Sequence, residues 1–157
     1  MKTITEAQAL QKLTTLCSRA EHCSYEVQEK LCRWAVPEDA QARIMAYLID
    51  HQYIDNNRYC QAFIEDKLNY NHWGRRKIEQ ALWLKRIDKG ILAPLLDEIT
   101  KEEWLEHLRP QIKRLLCTTK ADNNYKLRQK VIRTALGRGF DLDLILQCID
   151  DMPNEDD

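Results

Sequence analysis

The sequence predicts an all-α protein, a tandem array of three three-helix repeats, and three observations carry that prediction. An apolar triplet recurs after 51 residues and again after a further 53. Only 4 Gly and 4 Pro occur in 157 residues, which leaves little room for hairpins. Apolar residues follow helical spacing, and no segment shows convincing strand alternation. The three triplets are Val27, Leu31 and Val36, then Ile78, Leu82 and Ile87, then Val131, Ala135 and Phe140.

Such a period indicates an array in which each unit buries its apolar face against its neighbours. An array of this kind offers an extended surface and no deep pocket. We therefore expect function to reside on exposed faces of the helices.

The first repeat is predicted over residues 1–54. Apolar spacing favours a helix over residues 5–20. Ser24 is predicted to be the N-cap of a second helix that ends near Trp34, since its hydroxyl can accept a bond from an unpaired backbone N–H. Pro37 suits the first turn of a third helix, which ends near His51.

The second repeat is predicted over residues 55–99. Asp55 is the expected N-cap of a helix that ends at Asn69. Gly74 begins the next helix, which continues to about Arg86, and Asp88 caps the last one. Pro94 predicts that this last helix is short or kinked.

The third repeat is predicted over residues 100–152. Thr100 and Glu103 form a capping-box pattern before a strong apolar stripe, in which Pro110 predicts a bend. A helix over 125–136 ends at two glycines, and Asp141 begins a final helix. The acidic residues 153–157 are predicted to be a disordered tail.

Composition excludes several classes of function. A hydrophobic fraction of 44% and a charged fraction of 31% are typical of a soluble, helix-rich protein. No apolar run approaches the roughly 20 residues that span a bilayer, and the first residues lack a signal peptide's apolar core. We expect a cytoplasmic protein with no membrane partner.

The chain is also predicted to hold no metal or cofactor and to be a non-enzyme. Its six cysteines form no C-x-x-C pair and are read as reduced, small apolar residues. Cys17, His22 and Cys23 come nearest to a zinc ligand set, and reduced cysteine is the favoured alternative. No glycine-rich phosphate loop, nucleophile elbow or zinc-protease motif occurs.

The net charge of −1 conceals a strong asymmetry. Residues 67–89 hold seven basic residues against two acidic ones, a net charge of +5. Residues 109–138 hold nine against one, a net charge of +8. The last seventeen residues carry seven carboxylates and no Lys or Arg. The basic segments favour an anionic partner, although solvated helix faces are the plainer alternative.

The second helix of the middle repeat is the most informative segment. Helical spacing directs Ile78, Ala81, Leu82 and the stem of Lys85 toward the core. It directs Arg76, Gln80, Trp83 and Ile87 the opposite way.

The basic residues at the start of this helix, Arg75–Lys77, oppose the helix dipole, so we expect an anion to dock there against exposed backbone N–H groups. Trp83 is predicted to pack against a neighbouring repeat, with a partner contact as the alternative.

The third repeat carries two further basic strips. Lys126, Lys130 and Arg133 share one face of its second helix, and Arg109 pairs with Lys113 on the preceding helix. These strips could neutralise several phosphates or meet an acidic protein surface.

Three stretches, residues 18–31, 53–64 and 73–82, resemble the RecX regulatory protein family, whose members modulate the RecA recombinase filament. Residues 18–31 (SRAEHCSYEVQEKL) are similar to its opening "R…S…E-L…K-L" pattern. Residues 53–64 (YIDNNRYCQAFI) resemble its "D-D-x-R-(F/Y)-A" segment. Residues 73–82 (WGRRKIEQAL) resemble "G-P-x-(R/K)-I-x-x-x-L", with Arg75 where the family often has Pro. The third repeat matches by pattern only.

This resemblance implies a monomeric, elongated and curved array that lies in the groove of a RecA–DNA filament and inhibits filament growth, ATP hydrolysis and strand exchange. Single- or double-stranded DNA could also contact the basic faces. A sequence-tolerant DNA-binding protein that acts without RecA is the alternative function, and a plain protein scaffold is a third. The candidate partner- or DNA-binding residues are Arg58, Lys67, Trp73, Arg75, Arg76, Lys77, Trp83, Arg86, Arg109, Lys113, Lys126, Lys130 and Arg133.

Overall fold

A computed structural model describes residues 3–152, and within that range nine α-helices and no strand occur. The all-α repeat architecture predicted from the sequence is therefore confirmed. The acidic segment predicted to be disordered, residues 153–157, lies outside the described residues. The helices are α1 Glu6–Arg19, α2 Ser24–Arg33, α3 Glu38–Asp50, α4 Asn56–Asn69, α5 Arg75–Leu84, α6 Lys89–Asp97, α7 Lys101–Thr118, α8 Asn124–Gly137 and α9 Leu142–Asp150.

Most helix starts follow the side chains that the sequence offers as caps. The Asp55 and Asp88 carboxylates and the Thr100 hydroxyl accept backbone N–H bonds at the starts of α4, α6 and α7, as predicted. The predicted cap of α2 is wrong by one residue. Cys23 precedes the helix, and its N–H donates to Glu26 Oε1 at 3.2 Å, so that Glu26 stands at the third helical position.

The structure gives the positions of Pro37 and Pro110 relative to the helices. Pro37 is the N-cap of α3, which begins at Glu38. Helix α7 continues through Pro110 to Thr118 as one helix.

The recurring apolar triplets occupy equivalent buried positions in the three repeats. Each of the nine side chains is at most 6% exposed. The third member of each triplet follows a left-handed residue after the second helix of its repeat: Ala35 with φ 57°, Arg86 with φ 55° and Gly139 with φ 97°. In each case the next N–H donates to the carbonyl five residues back, at 3.1, 3.2 and 3.3 Å respectively.

These left-handed residues explain why Ile87 is buried, whereas helical spacing directs it outward. Helix α5 ends at Leu84, with Lys85 as its C-cap, and Arg86 then reverses the chain. The Ile87 side chain consequently turns back into the core, where it is 6% exposed. The helical projection failed because the helix had already ended.

The buried residues form two clusters. One belongs to the first repeat and contains Leu13, Leu31, Ile44 and Leu48 among its fully buried members. The other runs through α4–α9 and joins the second and third repeats into one core, with Cys23 of the first repeat at its margin. The predicted boundaries at residues 54, 99 and 152 stay a proposal, and the two clusters support the one between the first and second repeats.

The second and third repeats meet at two glycines. The Gly74 N–H donates to the Arg138 carbonyl at 2.7 Å, and the Arg76 N–H donates to the Gly139 carbonyl at 3.0 Å. A Cβ on Gly74 would lie 2.5 Å from Gly139 C, and one on Gly139 would lie 2.5 Å from Lys77 N. The start of α5 is therefore placed directly against the turn that follows α8.

Candidate partner-binding surface

The third repeat occupies two of the backbone N–H groups at the start of α5. The backbone N–H groups of Gly74 and Arg76 are already bonded to carbonyls of the turn after α8. These carbonyls form the negative end of α8, and they offset the unfavourable position of basic side chains at the start of α5. These two N–H groups are therefore not available to an anion, and the expectation that an anion docks at the start of α5 stays a prediction that rests mainly on side chains.

An aromatic and basic cluster lies beside this junction. Lys67 Nζ and Lys77 Nζ lie 4.8 and 4.7 Å from the centre of the Trp73 ring. Phe63 packs edge-on against the same ring at 6.4 Å. The cation–π contacts fix the two ammonium groups without neutralising them, because an aromatic ring carries no net charge. Lys67, Trp73 and Lys77 are thus brought together as a positively charged cluster.

The outer face of α5 is exposed. Trp83 is 68% exposed and the adjacent Leu84 is 65% exposed, so the expectation that Trp83 packs against a neighbouring repeat is wrong. One and two turns earlier, Gln80 and Arg76 are exposed on the same helical face. No described carboxylate lies within 4.0 Å of the Arg76 guanidinium. An exposed Trp with a nearby unpaired Arg has the composition of an interface hot spot.

Three of the candidate residues, Arg58, Arg75 and Arg109, form ion pairs with carboxylates of the protein itself. Arg75 Nε lies 2.7 Å from Glu79, and its Nη2 lies 2.7 Å from Asp97. The hydrogen bond to Glu79 is the main reason that the pKa of Arg75 is raised. Arg109 pairs with Glu102 at 2.8 Å, and the bond to Glu102 likewise raises the pKa of Arg109.

Arg58 lies at the junction of the first and second repeats. It pairs with Glu21 at 2.5 Å, and its Nη2 donates to the Gln52 carbonyl at 2.9 Å. Because these contacts join α4 to the chain before α2, Arg58 holds two repeats together. Lys85 Nζ lies 3.5 Å from Glu26 Oε2 and adds a second ion pair across this junction.

Arg86 also reaches across the junction. Its guanidinium lies 4.9 Å from the centre of the Tyr25 ring. As with the lysines around Trp73, the aromatic contact positions the charge and leaves it available.

The basic residues of the two strips predicted on the third repeat differ in their contacts. Lys126 Nζ lies 3.4 Å from Asp122, and Lys130 Nζ donates to the Lys120 carbonyl at 2.8 Å, so both side chains are tied to the loop before α8. Lys113 and Arg133 are exposed, and neither has an ion-pair partner among the described residues.

Two arginines that sequence reasoning passed over line a groove between the second and third repeats. We call it the inter-repeat groove; it encloses about 430 Å³, and Arg114 and Arg138 stand in its wall. Both were counted in the basic segment of residues 109–138, but neither shares an i, i+4 face with the strips. Arg138 follows the end of α8, where a helical projection no longer applies.

The cysteines have the character of buried structural residues. Burial raises the pKa of the Cys60 thiol to about 11, and burial also raises the pKa of Cys23. Such thiols stay protonated at neutral pH and are poor nucleophiles and metal ligands. Within residues 3–152 no group of three His, Cys, Asp or Glu side chains could hold a metal ion. None of the helices there is long and apolar enough to cross a membrane.

The fold and the surface together define a class: an all-α repeat protein whose chemistry lies in exposed basic and aromatic side chains. The comparisons with known proteins agree with that class. Family models described as the second and third three-helix domains of RecX match residues 55–93 and 101–149. The regulatory protein RecX of Acinetobacter baylyi is 32% identical over 134 residues, which cover 85% of this chain and 81% of that protein. The chain belongs to the RecX family.

A more distant relative and two crystal structures are also similar to this chain. The regulatory protein RecX of Clostridium perfringens is 29% identical over 120 residues, 75% of this chain but only 56% of that protein. The chain thus spans little more than half the length of the clostridial relative. The crystal structure of RecX from Lactobacillus salivarius superposes with a TM-score of 0.83 at 23% identity, over 93% of this chain and 95% of that one. A second RecX crystal structure gives a TM-score of 0.85 at 21% identity, over 93% and 73%. These two likenesses show the fold.

Proposed function

We propose that this protein binds the RecA recombinase filament and inhibits its growth, ATP hydrolysis and strand exchange, so that it modulates DNA repair and recombination without catalytic activity of its own. Family membership supports the choice of partner, through the role that the RecX resemblance implies. The observation that carries the proposal at the level of this chain is the outer face of α5. There Trp83 and Leu84 are both more than 60% exposed on the same helix as the unpaired Arg76.

A monomer gains no stability from such a face. Exposed large apolar side chains grouped with basic ones mark an interaction surface, because burial on binding contributes the hydrophobic energy that folding left unused. The filament is a polyanion coated with protein, and this face offers both apolar area and positive charge. The charged cluster of Lys67, Trp73 and Lys77 extends this surface toward the third repeat.

The test is the DNA-dependent ATPase of RecA. We expect the protein to suppress ATP hydrolysis when it is substoichiometric to RecA, since a few bound molecules suffice to stop filament growth. Trp83→Ala should weaken the inhibition while the helical circular dichroism is retained. Ile49→Ala is the matched control, because Ile49 is 49% exposed on α3, in the first repeat. No effect on the ATPase at excess protein would overturn the proposal.

Sequence-tolerant DNA binding that is independent of RecA is the second candidate function. The unpaired Arg76, Lys113 and Arg133 favour it. It predicts DNA binding in the absence of RecA that weakens steeply with salt, because each neutralised phosphate releases counterions. Strong DNA binding together with an unaffected RecA ATPase would select this alternative.

A further inference from the structure

We propose that the inter-repeat groove binds a phosphate of a single-stranded nucleic acid through Arg114 and Arg138, with His72 and His107 beside it. The proposal rests on the proposed function in one respect: DNA is the polyanion that a RecA filament contains. It adds a direct contact between this chain and the nucleic-acid strand. The groove lies where the α4–α5 loop faces α7 and the end of α8.

The charge of Arg138 is held in place without being cancelled. Its Nη1 donates to Gln111 Oε1 at 2.8 Å, and Gln111 Nε2 donates in turn to the His107 carbonyl at 2.9 Å. Gln111 is only 8% exposed, so this chain of bonds is sheltered from water. A neutral amide orients the guanidinium and leaves its full positive charge and its remaining N–H donors available.

Arg114 and Arg138 line one groove, and they are unlike the five arginines of the chain that pair with carboxylates. Arg43, Arg58, Arg75, Arg109 and Arg128 all pair with carboxylates. Among the residues that the structure describes, no carboxylate lies within 4.0 Å of Arg114 or Arg138. Glu106 also lines the groove, so its wall holds two unpaired guanidinium groups against one carboxylate.

The remaining lining fits a nucleotide unit. Planar guanidinium groups donate paired N–H bonds to phosphate oxygens, and imidazole and amide side chains such as those of His72 and Asn69 can add further donors. A volume of about 430 Å³ is of the size that holds a small ligand. A single strand can bend a phosphate and its sugar into such a concave site, whereas a duplex is stiff over about 150 base pairs. The geometry therefore points to a single strand.

The decisive variants remove or neutralise the charge. Arg114→Gln with Arg138→Gln should weaken the binding of a fluorescein-labelled oligo(dT) by about tenfold or more, as expected for loss of two charged hydrogen-bonding groups. The slope of log affinity against log salt should become shallower by about 0.7, since the groove holds one phosphate and each neutralised phosphate on a single strand contributes about 0.7. The control is Arg19→Gln with Arg33→Gln, which removes the same charge from the first repeat.

A second variant separates charge from folding. Gln111→Glu places a carboxylate where the amide now holds Arg138, so that an ion pair replaces a neutral bond. We expect oligo(dT) affinity to fall although Arg114 and Arg138 are both present and the thermal midpoint of unfolding is retained. If the Gln111→Glu variant unfolds, the double arginine variant and its control still decide the matter, because Arg114 is exposed and Arg138 is only partly buried.

Each outcome decides the proposal. Loss of oligo(dT) binding in the groove variants but not in the control supports it. Unchanged oligo(dT) binding overturns it, as does arginine-dependent binding of ATP or inorganic phosphate with oligo(dT) unaffected, which would assign the groove to a free nucleotide or ion. Equal weakening of a hairpin duplex would overturn the single-strand assignment. The RecA ATPase is measured in parallel. If the protein inhibits the ATPase but its DNA binding does not depend on the groove, the proposed function stands and the groove proposal fails. If its DNA binding depends on the groove but the ATPase is not inhibited, the groove proposal stands and the proposed function fails.

Discussion

At the scale of single residues, the two glycines at the repeat junction show how little space separates the second and third repeats. A Cβ on Gly74 would lie 2.5 Å from Gly139 C and from Phe140 N, both of them backbone atoms. Backbone atoms cannot turn aside as a flexible side chain can. The contact also includes the 2.7 Å hydrogen bond between the Gly74 N–H and the Arg138 carbonyl. The glycine of the RecX-like "G-P-x-(R/K)-I" segment therefore has a packing role in this chain.

We expect Gly74→Ala to lower the free energy of unfolding by about 2–4 kcal/mol, as overpacking against a rigid backbone does. Gly137→Ala is the control, because a Cβ there meets nothing within 4 Å and alanine favours the helix. Urea unfolding followed by circular dichroism measures both. If the two variants are equally stable, the close backbone approach does not exist in solution.

The left-handed conformation of Ala35 leads to a prediction about the stability of the protein. Ala35 adopts φ 57° and is exposed, so it bears the steric cost of the left-handed conformation. Gly139 holds the equivalent position in the third repeat. Ala35→Gly should stabilise the protein by about 0.5–1 kcal/mol, because relief of strain exceeds the entropy cost of glycine in the unfolded chain.

The matched control for that prediction lies inside a helix. Ala46 is exposed within α3, where glycine should destabilise by about 1 kcal/mol. Thermal and urea unfolding of both variants give the comparison. A destabilised Ala35→Gly variant would contradict the assignment of a strained left-handed turn.

At the scale of the helices, the sequence predicts their number and order, because apolar spacing and capping side chains are local signals. Asp55, Asp88 and Thr100 cap the helices that they were expected to cap. Burial of Ile87 and exposure of Trp83 were not predictable from helical spacing alone. The first depends on the left-handed Arg86, and the second depends on where the neighbouring repeats lie, which is a property of the assembled array.

The candidate surface was likewise predicted only in part. Sequence spacing indicates which side chains share a helical face, but it cannot show which charges are cancelled by carboxylates distant in the chain. Asp97 reaches Arg75 from 22 residues away, and Glu21 reaches Arg58 from 37 residues away. Conversely, Arg138 is left unpaired because its partner is the neutral Gln111.

The junction between α2 and α4 leads to a prediction about pH. Burial raises the pKa of Cys60 from its usual 9.0 to about 11, and burial also raises the pKa of the adjoining Tyr59 hydroxyl. The unfolded chain therefore loses these protons at lower pH than the folded one. The resulting stabilisation is complete below about pH 9 and is lost between pH 9 and 11.

We expect the thermal midpoint to fall over that alkaline range, and Cys60→Ala to show a shallower fall from a lower starting value. Its starting value is lower because Cys60 is fully buried and its removal leaves a cavity. Differential scanning calorimetry in matched buffers provides the measurement. Parallel pH profiles for the two proteins would mean that the Cys60 thiol does not contribute.

At the scale of the whole molecule, the two separate hydrophobic clusters indicate two units of stability. The first repeat has its own core, whereas the second and third repeats share one. The contacts that join the first repeat to the rest include polar ones, such as Arg58 with Glu21 and the Ser24 N–H with Asn56 Oδ1 at 2.9 Å, and a small apolar contact through Cys23. Polar contacts of this kind contribute less to stability than a shared apolar core.

This division predicts how core mutations spread through the molecule. Leu13→Ala should destabilise the first repeat by about 2–5 kcal/mol, because Leu13 is fully buried in the first cluster. Hydrogen exchange measured by mass spectrometry should then accelerate in α1–α3 while α5, α7 and α8 keep their protection. Leu105→Ala should accelerate exchange in both the second and third repeats, since Leu105 lies in the core that they share. Equal acceleration along the entire chain in either variant would mean that the three repeats unfold as a single cooperative unit. If the division holds, the first repeat can change its position relative to the other two at the cost of the polar contacts and the small apolar contact at Cys23, which would let the array follow the curvature of a filament.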